Sequence, residues 1–417
     1  MDLRGERRSR LASHPRTENH HGTWAGPGQE AAPKMQSSRK IVLAVNGRIP
    51  GPRAHAIATL RLGIALQRLG VTVEIWCPDR RGQSPEAVAL EPGSPPIMRL
   101  PCTDWIDRAP RWAQRATAAL QRASFARAFA REVERRRGEV RWFVLRDPAI
   151  WSAAVKLELP FAAEVHELPR RRFARQAALA ALRQAPRVIA LTSLGCEALR
   201  ALGVARADLA VLPSAADERL LGVALQRSTA RRALGIAVDQ RVVSYVGHLH
   251  AAKGARSLKA LAAALPEVRV RVVGGLPAER ARFARNGLPA NLELIGFVAP
   301  DAVGRELAAA DLVIATAEPE SEAARCFGSP VKIAEALAAG CALLAPAVPA
   351  ARELAGAAAD YYRPEDPGEP ARAVARLLGD PAALEALRAR ARAVSREHLA
   401  SRRAERLLEI LGREVPA

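Results

Sequence analysis

Two stretches decide the fold of this sequence: Tyr245-Val-Gly-His-Leu-His-Ala-Ala-Lys-Gly254 and Gly328-Ser-Pro-Val-Lys-Ile-Ala-Glu-Ala-Leu-Ala-Ala-Gly340. Each has the pattern of a strand or loop that leads into a helix, with backbone N–H donors and one lysine at the junction. Helix N-termini and flanking lysines both favour anions. Two such junctions can therefore hold a diphosphate between them.

The second stretch carries its polar residues on one side of a predicted helix. Ser329 is a good N-cap, and Pro330 suits the first helical position. Lys332 and Glu335 are three residues apart, so they share one helix face. A lysine for phosphate and a carboxylate for hydroxyl groups on the same face is the combination that a nucleotide-sugar site needs.

The rest of the chain alternates between strand-like and helix-like segments from Arg39 onward, which is typical of parallel sheets and predicts the α/β class. The first series of predicted strands comprises Ile41–Asn46, Val71–Cys77, Trp142–Arg146, Phe161–His166, Val188–Thr192 and Leu209–Pro213. The second series comprises Val242–Val246, Val268–Val273, Leu292–Ile295, Leu312–Thr316 and Ala342–Ala345. Ligands of such sheets bind beyond the carboxyl ends of the strands.

The two quoted stretches resemble the donor site of retaining glycosyltransferases of family 4 with the GT-B fold. The motifs that carry the resemblance are Gly-His-Leu-x3-Lys-Gly and Ser-Pro-x-Lys-x-x-Glu, and the resemblance covers residues 39 to 390. It implies two Rossmann-like parallel-sheet domains that face each other across a cleft. It also implies that His248, Lys253, Lys332 and the backbone after Ser329 bind the donor diphosphate, and that Glu335 binds the ribose.

A stretch of the first half, Ala163-Glu-Val-His-Glu-Leu-Pro169, resembles a further segment of the same family. The resemblance places His166 beside the reacting centre, and the predicted catalytic residues are therefore His166, Lys253 and Glu335. The alternative is a histidine that only holds local structure through hydrogen bonds.

The loop Gly47-Arg-Ile-Pro-Gly-Pro-Arg-Ala-His55 resembles another stretch of this subgroup. The resemblance implies that Arg53 and His55 face the cleft, and Gly247 is a third candidate for a cleft contact. The alternative is a basic turn in which His55 merely caps the helix.

The sequence departs from the family pattern at two positions. His248 replaces the usual arginine, and a neutral imidazole makes a weaker phosphate contact than a guanidinium group. Phe327 stands where the family has a glutamate that contacts the transferred sugar. Glu318, Glu320 and Glu322 lie just upstream, either as replacements for it or as solvated charges of a loop.

The pattern and the resemblance together predict five segments. Residues 1–38 show no periodicity and are expected to be a disordered tail. Residues 39–215 form an N-terminal acceptor-side domain, and residues 216–240 link it to a nucleotide-sugar-binding domain at 241–385. The helices of residues 386–417 are expected to pack back on the first domain.

The composition of the 417 residues indicates the compartment and excludes several chemistries. The five cysteines are scattered without a Cys-x-x-Cys pair, which favours a reducing compartment over a zinc site or disulfides. The sequence has no Asp-x-Asp motif, so we expect no metal and no cofactor besides the donor substrate. It has no apolar run of eighteen residues and no secretory signal, so a cytoplasmic protein is expected.

The net charge of +20 is concentrated in the first half. Residues 108–137 contain nine arginines and two acids, and residues 170–187 contain six arginines and no acid. Phe125, Phe129 and Val133 recur every four residues and can form one helical stripe. Basic helices with aromatic residues bind anionic membranes, so the inner face of the plasma membrane is a candidate partner; the alternative is a solvated helix whose stripe is core.

The sequence thus predicts a metal-independent, hexosyltransferase-type enzyme. It would move a sugar from a nucleoside-diphosphate sugar to a hydroxyl group of a glycan, lipid-linked sugar or polysaccharide, with retention of configuration. The alternatives are a non-catalytic binding protein of the same fold with a decayed donor site, and a nucleotide-sugar epimerase. No nucleic-acid-binding motif accompanies the charge, so a nucleic acid is not expected as a partner.

Overall fold

Two parallel β-sheets with helices on both faces make up the described part of the chain. The computed structural model describes residues 40–80, 90, 92–106, 108–110, 112–204, 209–249 and 254–412. The α/β class, predicted from the alternating pattern, and the two Rossmann-like domains, implied by the family resemblance, are both confirmed. The predicted tail of residues 1–38 lies outside the described residues, as does Lys253.

The first sheet has the strand order β3-β2-β1-β4-β5-β6-β7, with every neighbouring pair parallel. The order reverses between β1 and β4, because β2 and β3 lie on one side of β1 and β4 to β7 on the other. Its strands are β1 (Lys40–Ala44), β2 (Val73–Asp79), β3 (Ile97–Pro101), β4 (Val140–Leu145), β5 (Phe161–Val165), β6 (Arg187–Ala190) and β7 (Leu209–Val211).

The second sheet repeats this arrangement with the order β10-β9-β8-β11-β12-β13, and its order reverses between β8 and β11. All of its pairs are parallel as well. Its strands are β8 (Val242–Val246), β9 (Arg269–Val273), β10 (Leu292–Ile295), β11 (Leu312–Ile314), β12 (Leu343–Pro346) and β13 (Asp360–Tyr362).

The helices cover both faces of the two sheets. In the first half they are α1 (Ala54–Arg68), α2 (Gln114–Arg135), α3 (Pro148–Lys156), α4 (Arg172–Gln184) and α5 (Ser193–Ala201). In the second half they are α6 (Arg227–Ala233), α7 (Ser257–Ala264), α8 (Pro277–Ala284), α9 (Pro300–Ala309), α10 (Val331–Ala339), α11 (Pro349–Ala355), α12 (Glu369–Leu378), α13 (Pro381–Val394) and α14 (Ala400–Gly412). Within the described ranges, no helix is long and apolar enough to cross a membrane.

The strands are mostly apolar because each sheet is buried on both faces. In β1, Ile41 and Leu43 point into the core shared with α1 and α14, whereas Val42 and Ala44 point into the core shared with α2 to α5. This alternation follows from the two-residue repeat of a strand. The edge strands β3 and β13 are absent from the predicted series, since their short sequences carry only weak strand signals.

The chain passes from the half with the first sheet to the half with the second near Ala216 and returns near Leu399. These two crossings lie side by side. The Ala216 N–H donates to the His398 carbonyl at 2.7 Å, and the Ala400 N–H donates to the Ala216 carbonyl at 2.9 Å. The C-terminal helix α14 then packs against α1 of the first half through residues that include Ala404 and Leu407. Residues 39–417 form one compact unit as a result.

Further contacts hold the two halves together beside the crossings. The Thr192 hydroxyl donates to the Cys326 carbonyl, and the Glu353 carboxylate accepts from the Ser193 N–H at the start of α5. A carboxylate at a helix N-terminus is favoured by the free N–H groups and by the helix dipole. The halves therefore face each other in one defined arrangement.

The apolar stripe of Phe125, Phe129 and Val133 is core. All three side chains are at most 3% exposed and pack beneath α2 against the first sheet. The stripe therefore offers no apolar face to a membrane, and the core alternative for it is correct.

Candidate active site

A cavity of about 580 Å³ lies between the two sheets. Its walls include Asn46, Arg146 and His166, which follow β1, β4 and β5, and Gly247 and His248, which follow β8. In each sheet, strands on both sides of the order reversal contribute. Crevices of this kind form there because the connections of neighbouring strands leave in opposite directions.

Lys332 lies in the first turn of α10 with its ammonium group turned toward β8. Its Nζ donates to the Tyr245 hydroxyl at 2.8 Å and stands 4.1 Å from the centre of the Tyr245 ring. Burial lowers the pKa of Lys332 to about 7, although the Glu335 carboxylate acts in the opposite direction. An anion that enters the cavity would restore the charge of this lysine.

Gly247 brings the backbone of the loop after β8 close to Lys332. A Cβ atom at this position would lie 3.3 Å from Lys332 Cε and 3.3 Å from the Tyr245 hydroxyl. Its φ of +151° is also in the range that favours glycine. Gly274, the glycine that follows β9, has a φ of +110°, and its Cβ would lie 2.6 Å from the Gly247 carbonyl. The backbone at Gly247 therefore faces the cavity directly, because a glycine has no side chain to stand in between.

His248 also lines the cavity, and its ring is held by an acid. Its Nδ1 is 3.2 Å from Glu279 Oε2, which also accepts from the Leu249 and Leu276 N–H groups. Those three interactions lower the pKa of Glu279, against the effect of its burial. The structure thus brings His248 and Lys332 together at one end of the cavity.

Ser329 lines the cavity but is not the N-cap of α10. The helix begins at Val331, with Pro330 in the cap position and no side-chain capping bond. The Ser329 hydroxyl instead accepts from the Ser214 N–H at 2.9 Å. The predicted start of this helix was wrong by one residue because the serine bonds to the other half of the molecule.

Glu335 shares the cavity-facing side of α10 with Lys332, as their spacing predicts. Its Oε1 accepts from Arg61 Nη1 at 3.0 Å, and Arg61 Nε lies 3.1 Å from Asp217. Arg61 belongs to α1, so this ion pair spans the two halves. A ligand hydroxyl at Glu335 would have to share the carboxylate with Arg61 or displace it.

His166 follows β5, and its orientation is set by a buried carboxylate. Its Nε2 contacts Glu164 Oε1, and Glu164 Oε2 accepts from Arg403 Nη2 of α14 at 2.8 Å. Burial, with the nearby Arg146 guanidinium, lowers the pKa of His166 to about 4. The Glu164 carboxylate, stabilised by Arg403 and His166 despite its burial, has a pKa well below its usual range. At neutral pH the imidazole is therefore neutral.

His55 lies in the first turn of α1 and lines the cavity, whereas Arg53 does not. The His55 ring packs so closely on Gly47 that any Cβ there would clash with it. Burial and then the positive charge of Arg146 lower the pKa of His55 to about 4. Arg53 is exposed at the N-cap position of α1. The structure therefore brings His55 and His166 together and leaves Arg53 at the surface.

Phe327 is only 2% exposed and packs into the core of the first half, although it belongs to the second. The three glutamates upstream lie outside the lining of the cavity. Glu318 and Glu320 are exposed, and Glu322 lies 3.4 Å from Arg175 of α4. None of the three lines the cavity, so the interpretation as loop charges holds for the first two.

Several cavity residues were not singled out from the sequence, among them Asn46, Arg146, Asp147 and Arg61. A signal for the first three existed, because Asn46 directly follows a predicted buried strand and Arg146 ends another. Asp147-Pro148 is in addition a helix-start signature, and Asp147 Oδ1 does accept from the Ala149 N–H at 2.7 Å. Nothing in the sequence pattern distinguishes Arg61 from the other arginines of the chain.

Two family models match the chain, one on each half. The model described as Glycosyltransferase Family 4 matches residues 56–220, and the model described as Glycosyl transferases group 1 matches residues 240–380. The chain belongs to the GT-B glycosyltransferases of the family 4 type. The family predicted from the two motifs is thereby confirmed.

Solved glycosyltransferase structures share the whole fold of this family member. Sucrose-phosphate synthase from Thermosynechococcus elongatus aligns with a TM-score of 0.70 at 20% identity, covering 89% of this chain and 98% of its own. HepE of Anabaena, in complex with UDP and glucose, aligns with a TM-score of 0.64 at 18% identity, covering 90% and 100%. The trehalose 6-phosphate synthase from Burkholderia multivorans aligns with a TM-score of 0.63 at 14% identity, covering 90% and 98%. No curated protein sequence matches the chain.

We expect the glycosyltransferase to lose stability as the pH falls from 7 to 5. His55 and His166 stay neutral in the folded protein, with pKa values of about 4, but both bind protons near pH 6.5 once the chain unfolds. Acid in this window therefore favours unfolding. Urea denaturation at a series of pH values measures the free energy of unfolding. This free energy should fall less steeply with decreasing pH in the double variant His55→Gln/His166→Gln than in the wild type. If the free energy of unfolding of the double variant falls as steeply between pH 7 and 5 as that of the wild type, the two histidines are not the cause. Between pH 7 and 8 the two proteins should show the same dependence on pH.

Proposed function

We propose that this glycosyltransferase moves a sugar from a nucleoside-diphosphate sugar to a hydroxyl group of a glycan or lipid-linked acceptor, with retention of anomeric configuration. One observation carries the proposal. The cavity has Lys332, the start of α10 and the Gly247 backbone on one wall, and the neutral imidazole of His166 on another. A cationic wall suits a diphosphate, and a neutral polar wall suits a sugar.

The proposed donor lies along α10. The diphosphate occupies the space beside Lys332, Gly247 and His248, where a buried cation and backbone N–H groups favour it. Glu335 then binds the ribose hydroxyls, and Lys253 adds a second cation. HepE, solved in complexes with UDP and with UDP-glucose, supports a nucleotide sugar as the donor class.

The proposed chemistry depends on stabilising the leaving diphosphate. The bond from the anomeric carbon to the diphosphate oxygen breaks, a bond to the acceptor oxygen forms on the same face, and the acceptor proton passes to the leaving phosphate. Lys332 and the helix N–H groups stabilise the negative charge that develops. The sequence has no Asp-x-Asp motif, and Lys332 and the helix N–H groups can stabilise the charge of the diphosphate. We therefore propose that transfer requires no metal ion.

His166 orients the sugar rather than taking its proton in this proposal. Because its Nε2 faces the Glu164 carboxylate, the neutral ring carries its proton on Nε2 and leaves Nδ1 as an acceptor. Nδ1 can then accept a hydrogen bond from a sugar hydroxyl near the reacting centre. Glu164 and Arg403 fix the ring in that orientation.

Replacing Lys332 with alanine should weaken UDP binding by about 10- to 100-fold, since a charge-assisted hydrogen bond contributes roughly 1.5–3 kcal/mol. Glu335→Ala should weaken it as well, through the loss of the ribose contact. Titration calorimetry with UDP, GDP, ADP, TDP and CDP, in EDTA, measures the effect and selects the base. Lys259→Ala is the matched control, because Lys259 Nζ donates to the Arg285 and Gly287 carbonyls away from the cavity.

Wild-type affinity for the preferred diphosphate in both cavity variants would refute the donor site. Binding without any turnover of the matching nucleotide sugar would favour the non-catalytic alternative. Conversion of the nucleotide sugar to an epimer and free diphosphate, without an acceptor, would favour the epimerase.

We also propose that the surface at the carboxyl edge of the first sheet, where α2 and α4 begin, contacts an anionic membrane. Trp112, just before α2, is 86% exposed, and Phe173, in the first turn of α4, is 90% exposed. Helices that follow parallel strands start at the carboxyl edge of the sheet, so both aromatic side chains lie on the side where the cavity opens. The exposed arginines Arg115 and Arg172 accompany them. Such a surface would suit a lipid-linked acceptor.

Flotation with vesicles of phosphatidylglycerol and phosphatidylcholine tests this surface. We expect salt-sensitive binding that falls at least fivefold in the double variant Trp112→Ser/Phe173→Ser, because both aromatic contacts are lost. The variant Leu225→Ser is the control, since Leu225 is 73% exposed in the second half. Equal flotation of both variants and the wild type, or no flotation of the wild type, would remove the membrane from the account.

A further inference from the structure

Arg146 is a cavity residue whose guanidinium group makes no direct hydrogen bond or ion pair with the described residues. It follows β4 at the order reversal of the first sheet, and its backbone N–H donates to the Ala44 carbonyl at 3.2 Å. The side chain is partly buried and lines the cavity. Among the described residues, none forms a hydrogen bond or an ion pair with its guanidinium group.

The buried arginines of the described chain behave differently. Each of them donates to protein oxygens, as charges removed from water must do to offset the loss of hydration. Arg187 donates to the Ile410 carbonyl, Arg231 to the Ala309 carbonyl and Asp311, and Arg271 to Glu306. Arg146 therefore stands out as a guanidinium group at the cavity wall without a direct hydrogen bond or ion pair to a protein oxygen among the described residues.

No acid near Arg146 pairs with it directly. Glu164 and Glu167 both lie near enough to favour the charged form of Arg146, but the two oxygens of Glu164 contact His166 and Arg403, and Glu167 makes neither a hydrogen bond nor an ion pair with Arg146. Asp147 accepts from the Ala149 N–H and is bonded to the Asn46 side chain. Asn46 is held in turn, because its Oδ1 accepts from Gln121 Nε2 at 2.8 Å.

The Arg146 side of the cavity belongs to the first half, and Glu167 lines it as well. His55 and His166 both feel the Arg146 charge strongly enough that the pKa of each imidazole falls. Lys332 and His248, the proposed diphosphate ligands, stand on the second half across the cavity. Each sheet thus presents cationic or donor groups at its own order reversal, where ligands of parallel sheets bind.

We propose that Arg146, assisted by His55, binds an anionic group of the acceptor, a phosphate or a carboxylate. The planar guanidinium group offers paired N–H donors that match the two oxygens of either anion. This inference rests on the proposed function, since it assigns the second substrate of the same cavity. It means that the acceptor is a sugar phosphate, a uronic acid or a phosphate-bearing lipid rather than a neutral sugar.

Calorimetry on the UDP-saturated protein tests the proposal with four probes: glucose 6-phosphate, glucuronate, neutral glucose, and vesicles that contain phosphatidylglycerol. We expect at least one anionic probe to bind at least tenfold more tightly than glucose. Arg146→Gln should weaken that binding at least tenfold and change the affinity for UDP by less than threefold. Arg146→Lys should retain part of it, and Arg390→Gln, on the exposed surface of α13, should retain all of it.

The pattern of binding identifies the source of the anion. Binding of glucose 6-phosphate alone indicates a soluble phosphate, binding of glucuronate a carboxylate, and binding of vesicles alone a lipid headgroup. The proposal is overturned if no anionic probe binds, if Arg146→Gln binds the probe like the wild type, or if the probe competes with UDP. A loss of UDP binding in Arg146→Gln would assign Arg146 to the donor instead.

Failure of this inference and failure of the proposed function give different results. A wild-type protein that binds no nucleoside diphosphate contradicts the function, and titration of the same probes into the free protein then still measures the Arg146 site. Comparable melting temperatures of the three arginine variants show that each is folded.

Discussion

The cavity depends on one constraint of parallel sheets, which is that all strands end at the same edge. Residues that follow different strands therefore meet there, even when they are far apart in the sequence. His166, Arg146 and Asn46 meet at the first sheet in this way, and Gly247 and His248 at the second. The side-by-side crossings near Ala216 and Leu399 hold the two edges opposite each other. A site between two such edges takes side chains from both halves, and these side chains follow the strands and are not part of either hydrophobic core.

The C-terminal helix α14 helps to orient His166 in the cavity. Arg403 of α14 donates to the Leu212 carbonyl at 2.6 Å and also to Glu164, which orients His166. The last helix of the chain therefore positions a residue that lies more than two hundred positions upstream. Arg61 has a similar role from α1, because it joins Asp217 of the crossing to Glu335 of α10. Movement of one half relative to the other would change the contact between Arg61 and Glu335.

The sequence predicts the architecture and one wall of the cavity well, for physical reasons. Buried parallel strands are mostly apolar, so their positions follow from short apolar runs such as Val242–Val246, which the structure has with the same bounds. Lys332 and Glu335 share a helix face because their spacing requires it. Edge strands such as Asp360–Tyr362 were missed, since three residues leave little pattern.

The rest of the cavity depends on pairing across the fold, which no local pattern contains. Ser329 reads as a helix cap but bonds to Ser214, and Phe327 belongs to the core of the opposite half. Arg146 is one arginine among many in the sequence. Its significance comes only from the absence of a partner in the described structure and from its place at the order reversal.

A crystal structure of the protein soaked with UDP tests the central claim most directly, because it locates the nucleotide in the cleft. The account predicts the diphosphate within hydrogen-bond distance of Lys332 Nζ and of the N–H groups at the start of α10, with the ribose on Glu335. UDP bound outside the cavity, or in it with the diphosphate turned away from Lys332, would contradict the account.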